Sequence, residues 1–284
     1  MIDLHTHTTC SDGTDNPREL INKALAQGIT VIALTDHDSV SGWAEAIAAL
    51  RSDIELVLGA EISCLTEDAT SVHMLGLLFD GTNVEMLSML EQTRDDRVPR
   101  MVKMIELLNN AGIQVTMQDV KDVMPYGATM GRPHLADALV KRGVISSRDE
   151  GFKDLLNNES QFYVAHIAPT PERAIAQIRA AGGVAVIAHP FASHRGEILK
   201  PEAFSSLVEA GLNGIEVDHR DHNIQERAML RGIAQELGLV MTGSSDYHGT
   251  GKLNRLGECT TSPEQWEKLE AQADERRIVK AGKS

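Results

Sequence analysis

The strongest constraint on the fold is the alternation of short apolar runs with amphipathic segments along the 284-residue chain. Asn16 and Pro17, for example, predict the N-cap and first turn of a helix that ends before Gly28. Continuous apolar runs between helices are typical of a parallel sheet that is covered on both faces. We therefore expect an α/β fold, and seven strands favour closure into a barrel. The predicted strands lie at 2–7, 30–35, 54–63, 72–79, 183–188, 214–218 and 239–242.

One long region lacks this alternation of apolar runs and amphipathic segments. Residues 98–164 show helical patterns without a convincing buried strand, as in MVKMIELLNNAGI at 101–113, where Gly112 is a helix stop. Insertions of this length are usually functional. We therefore predict one barrel formed by residues 1–97 and 165–284, with residues 98–164 (the insertion) forming a small helical subdomain that caps the active site.

Composition excludes several classes of protein. The net charge of −14 argues against binding to duplex DNA, which requires clustered Lys and Arg, but it allows a small phosphorylated ligand at one local site. Cys10, Cys64 and Cys259 are an odd number without C-x-x-C spacing, so a disulfide framework is excluded and free thiols in the cytoplasm are expected. The sequence shows neither a signal peptide nor an 18-residue apolar stretch, so no membrane partner is expected.

Polar residues cluster where the predicted strands end. The carboxyl ends of parallel strands meet at one face of such folds, and His5 and His7 project from the same side of a strand. A single His at a strand end is usually a hydrogen-bonded structural residue, but nine ligand-type residues on six strands would leave buried groups unsatisfied at about 1–3 kcal/mol each. Imidazoles and carboxylates without thiolates suit Zn, Mn or Fe. We therefore predict a multinuclear metal site at this face, where the strand ends supply His5, His7, Asp12, Asp36, His37, Asp38, Glu61, His73, His189, His219, Asp246 and His248.

Five motifs, in order, resemble the polymerase and histidinol phosphatase (PHP) family: HTHTTCSDGT, LTDHDSV, GAEIS, IAHP and SDYH. The resemblance covers most of the chain and implies a distorted (β/α)7 barrel that holds two or three divalent ions. It assigns His5, His7, Glu61 and Asp246 to one ion, Asp12, His37 and His248 to a second, and a bridging Glu61 with His73 and His189 to a third. Some members of the family have His at the position of Asp12, and the carboxylate favours Mn²⁺, with Zn²⁺ or Fe²⁺ as the alternatives.

The charge of such a site explains how an acidic protein attracts a phosphate ester. Three divalent ions bring six positive charges, whereas Asp12, Glu61 and Asp246 return three negative ones, which leaves a local positive surplus. Bound metals also lower the pKa of water to about 7. The expected reaction is in-line attack of a metal-bound hydroxide on phosphorus.

Other polar residues near the strand ends are candidates for substrate contacts, because an Arg fork binds phosphate through two hydrogen bonds. An Arg exposed on the surface is otherwise simply solvated. We expect Asp12 to take part in catalysis and His194 to protonate the leaving group. The predicted substrate-binding residues are Arg132 and His134 of the insertion, Arg195, and the group His219, Arg220 and His222.

Within the PHP family, the insertion and its GRPH segment at 131–134 resemble the branch of 3′,5′-nucleoside bisphosphate phosphatases and 5′-to-3′ exoribonucleases. The resemblance implies hydrolysis of the 3′-phosphate of pAp to give AMP and phosphate, and action on short 5′-phosphorylated oligoribonucleotides. Two alternatives are a histidinol-phosphate phosphatase and a non-catalytic metal-binding module, like the PHP domains attached to DNA polymerases. A C–N hydrolase is disfavoured because we find no Lys on a strand that is placed to bridge two metals.

Overall fold

Eight strands and ten helices make up the computed structural model, which describes residues 1–165, 167–193, 198–274 and 278–281. The strands are β1 (Ile2–Asp3), β2 (Val31–Leu34), β3 (Glu55–Leu65), β4 (Ser71–Leu77), β5 (Val184–Ala188), β6 (Gly214–Asp218), β7 (Val240–Gly243) and β8 (Ile278–Lys280). The helices are α1 (Pro17–Ala26), α2 (Trp43–Ala49), α3 (Val84–Asn110), α4 (Met117–Lys121), α5 (Arg132–Lys141), α6 (Arg148–Asp154), α7 (Pro171–Ala180), α8 (Ala203–Glu209), α9 (Ile224–Leu237) and α10 (Pro263–Glu270).

Strands β1 to β7 form one sheet in sequence order, and a bridge between Thr6 and Tyr247 brings the first strand beside the last. The sheet is therefore a nearly closed barrel, which confirms the predicted fold class. The expectation of a uniformly parallel sheet is wrong at β4, which pairs antiparallel with both β3 and β5. The connection from β3 to β4 spans only residues 66–70, too short for the helical crossover that parallel neighbours need. Strand β8, which the sequence analysis missed, pairs antiparallel with β3.

Strand residues alternate between two cores. Val184, Val186 and Ala188 of β5 pack together with residues of β2, β3, β4 and β7, so this cluster fills the inside of the barrel. Ala185 and Ile187 of the same strand pack instead with helices α7 to α9 on the outside. Both faces of the strand are thus buried, which is why its sequence is uniformly apolar.

The predicted start and end of α1 are confirmed. The Asn16 side chain accepts a hydrogen bond from the Glu19 amide, and the Glu19 carboxylate accepts one from the Asn16 amide in return. Gly28, two residues after the helix, has φ +73°, a conformation that favours glycine. These caps orient α1 so that Leu20 and Ile21 are buried against the sheet.

Helix α3 belongs to two cores at once. Its first half buries Met86 and Met89 among the helices that cover the barrel, whereas Met104 and Leu108 join a separate core with α4, α5 and α6. The predicted domain boundary at 97/98 therefore falls inside one continuous helix. The insertion, which is fully described, contains helices and no strand. None of the helices in the described ranges combines the length and apolarity that a membrane span requires.

Candidate metal centre and active site

The predicted ligands lie at one edge of the barrel, which we call the rim: the carboxyl ends of β1, β2, β5 and β7 together with the adjoining parts of β3 and β4. His5 and His7 lie in the segment after β1, His37 lies shortly after β2, and His189 directly follows β5. His73 lies in antiparallel β4, near its start, and pairs with Ala188 at the end of β5. The reversed strand therefore still delivers its histidine to the same edge.

Two residues that carry ligand atoms have a left-handed backbone conformation after their strands. His189 has φ +31° and Asp246 has φ +51°, and Asp38, beside His37, has φ +49°. Left-handed conformations are unfavourable for residues with a Cβ and are concentrated at functional sites, where the surrounding structure maintains them.

The first group of ligand atoms is completely buried and closely spaced. His5 Nε2 lies 3.0 Å from His7 Nε2, 3.2 Å from Glu61 Oε2 and 3.5 Å from Asp246 Oδ1. His7 Nε2 lies 3.1 Å from the same Glu61 oxygen and 3.4 Å from the same Asp246 oxygen. Atoms bound to one ion at about 2.1 Å lie about 3.0–3.4 Å apart in octahedral or tetrahedral arrangements. The four side chains therefore have the spacing of a ligand set.

Glu61 faces two groups with its two oxygens. Oε2 faces His5 and His7, and also lies 3.1 Å from His37 Nδ1. Oε1 lies 2.7 Å from His73 Nδ1 and 3.1 Å from His189 Nε2. One carboxylate thus lies between all five imidazoles, the position that the sequence analysis assigned to a bridging ligand.

A further group surrounds Asp12. Its Oδ1 lies 3.2 Å from His248 Nε2, and its Oδ2 lies 3.7 Å from His37 Nε2. His7 Nδ1 is 3.8 Å from Oδ1. His7 and His37 therefore face two groups each, so the nine predicted ligands form one continuous cluster.

Hydrogen-bond geometry tests whether these residues fit a metal. Among the described residues, buried His37 Nδ1, Glu61 Oε2 and His248 Nε2 have no hydrogen-bond partner. Yet a carboxylate oxygen or imidazole nitrogen lies 3.1–3.2 Å from each of them. Ligand atoms that lie close together without forming a hydrogen bond are expected where they are oriented towards the same metal ion. Unsatisfied buried polar groups are costly, so the donor set fits divalent ions.

Behind the ligands lies a residue that the sequence analysis missed. Glu216 is fully buried in β6; its Oε1 lies 3.2 Å from His5 Nδ1, and its Oε2 accepts a hydrogen bond from the amide of His189. A carboxylate on the far nitrogen of a ligand histidine fixes the ring orientation and tautomer. A charged residue inside the apolar run GIEVD was the available signal for this role.

The two aspartates that flank His37 also support the site. Asp36 accepts hydrogen bonds from Thr8 and Ser11, which shape the loop that carries Asp12. Asp38 accepts from the Ser63 amide and from Arg97. Neither carboxylate is hydrogen-bonded to His37 itself in the described contacts, so they orient its neighbours.

A lysine beside Asp246 is a second residue that the sequence analysis missed. Lys252 Nζ lies 3.0 Å from Asp246 Oδ2, while Oδ1 of the same carboxylate faces His5 and His7. Fully buried His219 lies 3.5 Å from Oδ2. Lys252 therefore holds the outer oxygen, while the inner one faces the other ligands.

A cavity of about 580 Å³ opens onto this cluster. Asp12, His37, His73 and His189 line one part of it, and side chains of the insertion line another. Its volume is in the range of small-molecule sites. The arginines in its wall are Arg97, Arg100, Arg132, Arg148 and Arg220.

Three of the predicted substrate-binding residues need correction. His134 is buried and accepts a hydrogen bond from the Gly131 amide, so it caps the first turn of α5. His219 lies behind Asp246, and His222 is buried between the Phe191 amide and the Val217 carbonyl. In the described part of the chain, the rings of these three histidines do not line the cavity.

The arginines have different positions. Arg132 and Arg220 both line the cavity, although Arg220 is already paired with Glu258 at 3.1 Å. His194 and Arg195, for which a leaving-group acid and a phosphate contact are predicted, lie outside the described residues.

Protonation of the cluster leads to a prediction for metal binding. Burial lowers the pKa of His7, but the neighbouring Asp246 and Glu61 carboxylates outweigh burial and raise it to about 9. The metal-free protein therefore holds a proton on His7 at neutral pH, whereas a metal ligand must be neutral. We expect Mn²⁺ affinity to rise between about pH 6 and 8, with proton release that calorimetry in buffers of different ionisation enthalpy detects. Binding at pH 7 without any proton release would contradict this.

Comparisons with known proteins agree with this geometry. The PHP domain family matches residues 3–103. A 5′-3′ exoribonuclease of Haemophilus influenzae is 37% identical over 248 residues, covering 87% of this chain and 89% of that protein. A 3′,5′-nucleoside bisphosphate phosphatase of Chromobacterium violaceum is 33% identical over 276 residues, covering 95% and 96%. A solved structure from Bifidobacterium adolescentis, described as a metal-dependent phosphoesterase, has a TM-score of 0.90 at 37% identity and covers 96% of both chains. The chain therefore belongs to the PHP domain family of metal-dependent phosphoesterases.

Proposed function

We propose that this phosphoesterase removes the 3′-phosphate from a 3′,5′-nucleoside bisphosphate such as pAp, and that it also acts on short 5′-phosphorylated oligoribonucleotides. We further propose that it binds three divalent ions, Mn²⁺ in the cell, through the nine residues of the cluster, and that it works in the cytoplasm. The observation that supports the substrate assignment is a pair of arginines in the cavity wall, beside the metal-ligand cluster, that have no carboxylate partner among the described residues.

These two arginines differ from their neighbour Arg97, which is paired with Asp38 at 3.0 Å. Arg100 Nε donates to the Val164 carbonyl, and Arg132 Nη1 donates to the Leu156 carbonyl and to Asn158 Oδ1. Within the described residues, no carboxylate lies at salt-bridge distance from either of them. Their charges are held in place by neutral groups and remain available to an anion.

Burial makes this arrangement unfavourable without an anion. Burial and repulsion from Arg100 lower the pKa of Arg132 to about 9. Burial also lowers the pKa of Arg100 to about 10, although Tyr163 opposes this. A phosphate between them would stabilise both charges through charge-assisted hydrogen bonds.

Aromatic rings fix the orientation of the guanidinium groups. The Arg132 guanidinium carbon lies 5.5 Å from the ring centre of Phe152 and 5.4 Å from that of Tyr163. The Arg100 guanidinium carbon lies 5.3 Å from the same Tyr163 ring. Cation–π contacts position a cation without neutralising it, so this wall suits a second phosphate that is not the one being hydrolysed.

The two parts of the cavity have complementary roles in the proposed reaction. Divalent ions held by the cluster would supply Lewis-acid charge and activate water. Arg100 and Arg132 would bind the 5′-phosphate, and this remote binding would orient the 3′-phosphate towards Asp12, His37, and His73. The names of the Chromobacterium and Haemophilus relatives support a substrate with more than one phosphate group.

The decisive experiment compares substrates in the wild type and in Arg132→Ala with added Mn²⁺. We expect kcat/KM for a 3′,5′-bisphosphate to exceed that for the 3′-monophosphate by about tenfold or more, since one charged hydrogen bond is worth about 1.5–3 kcal/mol. Histidinol phosphate, with one phosphate and a cationic amine, is expected to be a poorer substrate still. Arg132→Ala should remove most of the preference by raising KM for the bisphosphate.

Arg142→Ala is the matched control, because Arg142 also lies in the insertion but pairs with Asp119 on its surface. This variant should keep the wild-type preference. Equal rates for the bisphosphate and histidinol phosphate would refute the nucleotide assignment and leave the phosphoesterase chemistry intact. An unchanged preference in Arg132→Ala would exclude Arg132 from the second phosphate site.

A further inference from the structure

Arg148, at the start of α6 in the insertion, contacts the metal-ligand loop of the barrel directly. Its Nε and Nη2 each donate to a carboxylate oxygen of Asp137 at 2.6 Å. Its Nη1 donates to the main-chain carbonyl of Asp12 at 3.0 Å. One guanidinium group thus connects two helices of the insertion to the residue whose side chain faces His248.

The same guanidinium group covers the turn that follows His248. A Cβ added at Gly251 would clash with Arg148 Nη1, so the arginine occupies the space above this glycine. The turn is tied to the Asp12 loop through Thr14, whose amide donates to the His248 carbonyl and whose hydroxyl accepts from the Thr250 amide. Arg148 therefore contacts both segments at their junction.

These contacts distinguish Arg148 from Arg100 and Arg132, which also line the cavity wall. Its charge is neutralised by the two hydrogen bonds to Asp137, and its remaining nitrogen is directed at main chain of the barrel. Arg100 and Arg132, in contrast, have no carboxylate partner in the described residues. The arrangement of Arg148 is that of a clamp between the insertion and the barrel.

We propose that Arg148 is a positioning residue that holds the main chain of Asp12 and the turn after His248 in the geometry needed to bind a metal ion. This inference rests on the proposed role of Asp12 and His248 as metal ligands. It makes the metal affinity of the barrel depend on the insertion. Residues that support ligands from behind typically change metal affinity by about 10–100-fold when they are replaced.

The test is calorimetric titration of the metal-free full chain with Mn²⁺, which needs no substrate. In Arg148→Met we expect the affinity of the weakest-bound ion to fall by about tenfold or more. Gly251→Ala keeps the arginine but displaces it from the turn, and should weaken the same ion. Arg148→Lys should be intermediate, because lysine cannot form the paired hydrogen bonds with Asp137.

Arg142→Met is the matched control, since it also removes an ion-paired arginine of the insertion but touches neither segment of the rim. It should bind Mn²⁺ as the wild type does. Wild-type Mn²⁺ affinity in Arg148→Met, or an equal loss in Arg142→Met, would overturn the proposal. If Arg148→Met does not fold, the Mn²⁺ affinity of Gly251→Ala tests the proposal instead. The melting temperature of metal-free Gly251→Ala then shows whether that variant is folded. If the wild type showed no preference for the bisphosphate while Arg148→Met and Gly251→Ala bound Mn²⁺ more weakly, the substrate proposal would be refuted. The positioning role of Arg148 would then still be supported.

Discussion

Replacing Glu61 with alanine is expected to lower kcat for any phosphate ester by about 10³-fold or more. The two oxygens of Glu61 face five histidines, so the substitution removes a ligand from two groups at once. Metal ions contribute several kcal/mol to such reactions, and about 4 kcal/mol corresponds to a factor of about 10³. Steady-state assays with a generic ester, together with elemental analysis of bound manganese, measure both effects.

Two further variants serve as comparisons for Glu61→Ala. Glu61→Gln keeps the shape of the side chain and removes its charge, and it should lose activity to a similar extent. Glu67→Ala, on the exposed turn between β3 and β4, should behave as the wild type. Turnover close to the wild-type rate in Glu61→Ala would show that Glu61 is not a metal ligand.

Removal of the metal ions is expected to destabilise the folded protein strongly. An ion at a hundred times its dissociation constant stabilises the native state by about 2.7 kcal/mol. Each kcal/mol shifts the melting temperature of a domain of this size by about 2–4 °C. Saturating Mn²⁺ should therefore raise the melting temperature of chelator-treated protein by about 5–10 °C for each ion that is bound.

Scanning calorimetry and elemental analysis test this expectation together. Protein prepared with manganese should approach three ions per chain, and Glu61→Ala should show a much smaller gain in melting temperature. Less than one ion per chain in fully active protein would contradict the cluster of nine ligands.

Much of the rim could be predicted because its ligands obey a rule that is visible in sequence: polar residues follow apolar strands. His73 is an exception to this rule: it lies near the start of β4 and reaches the rim because β4 runs in the opposite direction to the one expected. The length of the connection at 66–70 was the physical signal for an antiparallel pair. The positive φ angles of His189 and Asp246 could not be predicted, since neither histidine nor aspartate adopts positive φ often enough to indicate it from the sequence.

Besides Glu216 and Lys252, two arginines were missed, and tertiary contacts alone give these two their roles. Arg97 and Arg148 lie on helices remote in sequence from the loops that they contact, and no spacing rule connects them. The side chains of His134 and His222 were placed wrongly for a related reason. Position along a chain indicates which edge of the barrel a residue approaches, whereas the direction of its ring depends on neighbours such as the Gly131 amide.

The bridge between Thr6 and Tyr247 has a consequence for how this chain reaches its folded state. Barrel closure joins segments that are separated by nearly the whole chain, and contacts of that kind form late because the loop between them must first be ordered. His5 and His7 lie on one side of this seam, and Asp246 and His248 lie on the other. A divalent ion bound by ligands from both sides would link the two ends of the barrel and so stabilise its closed state.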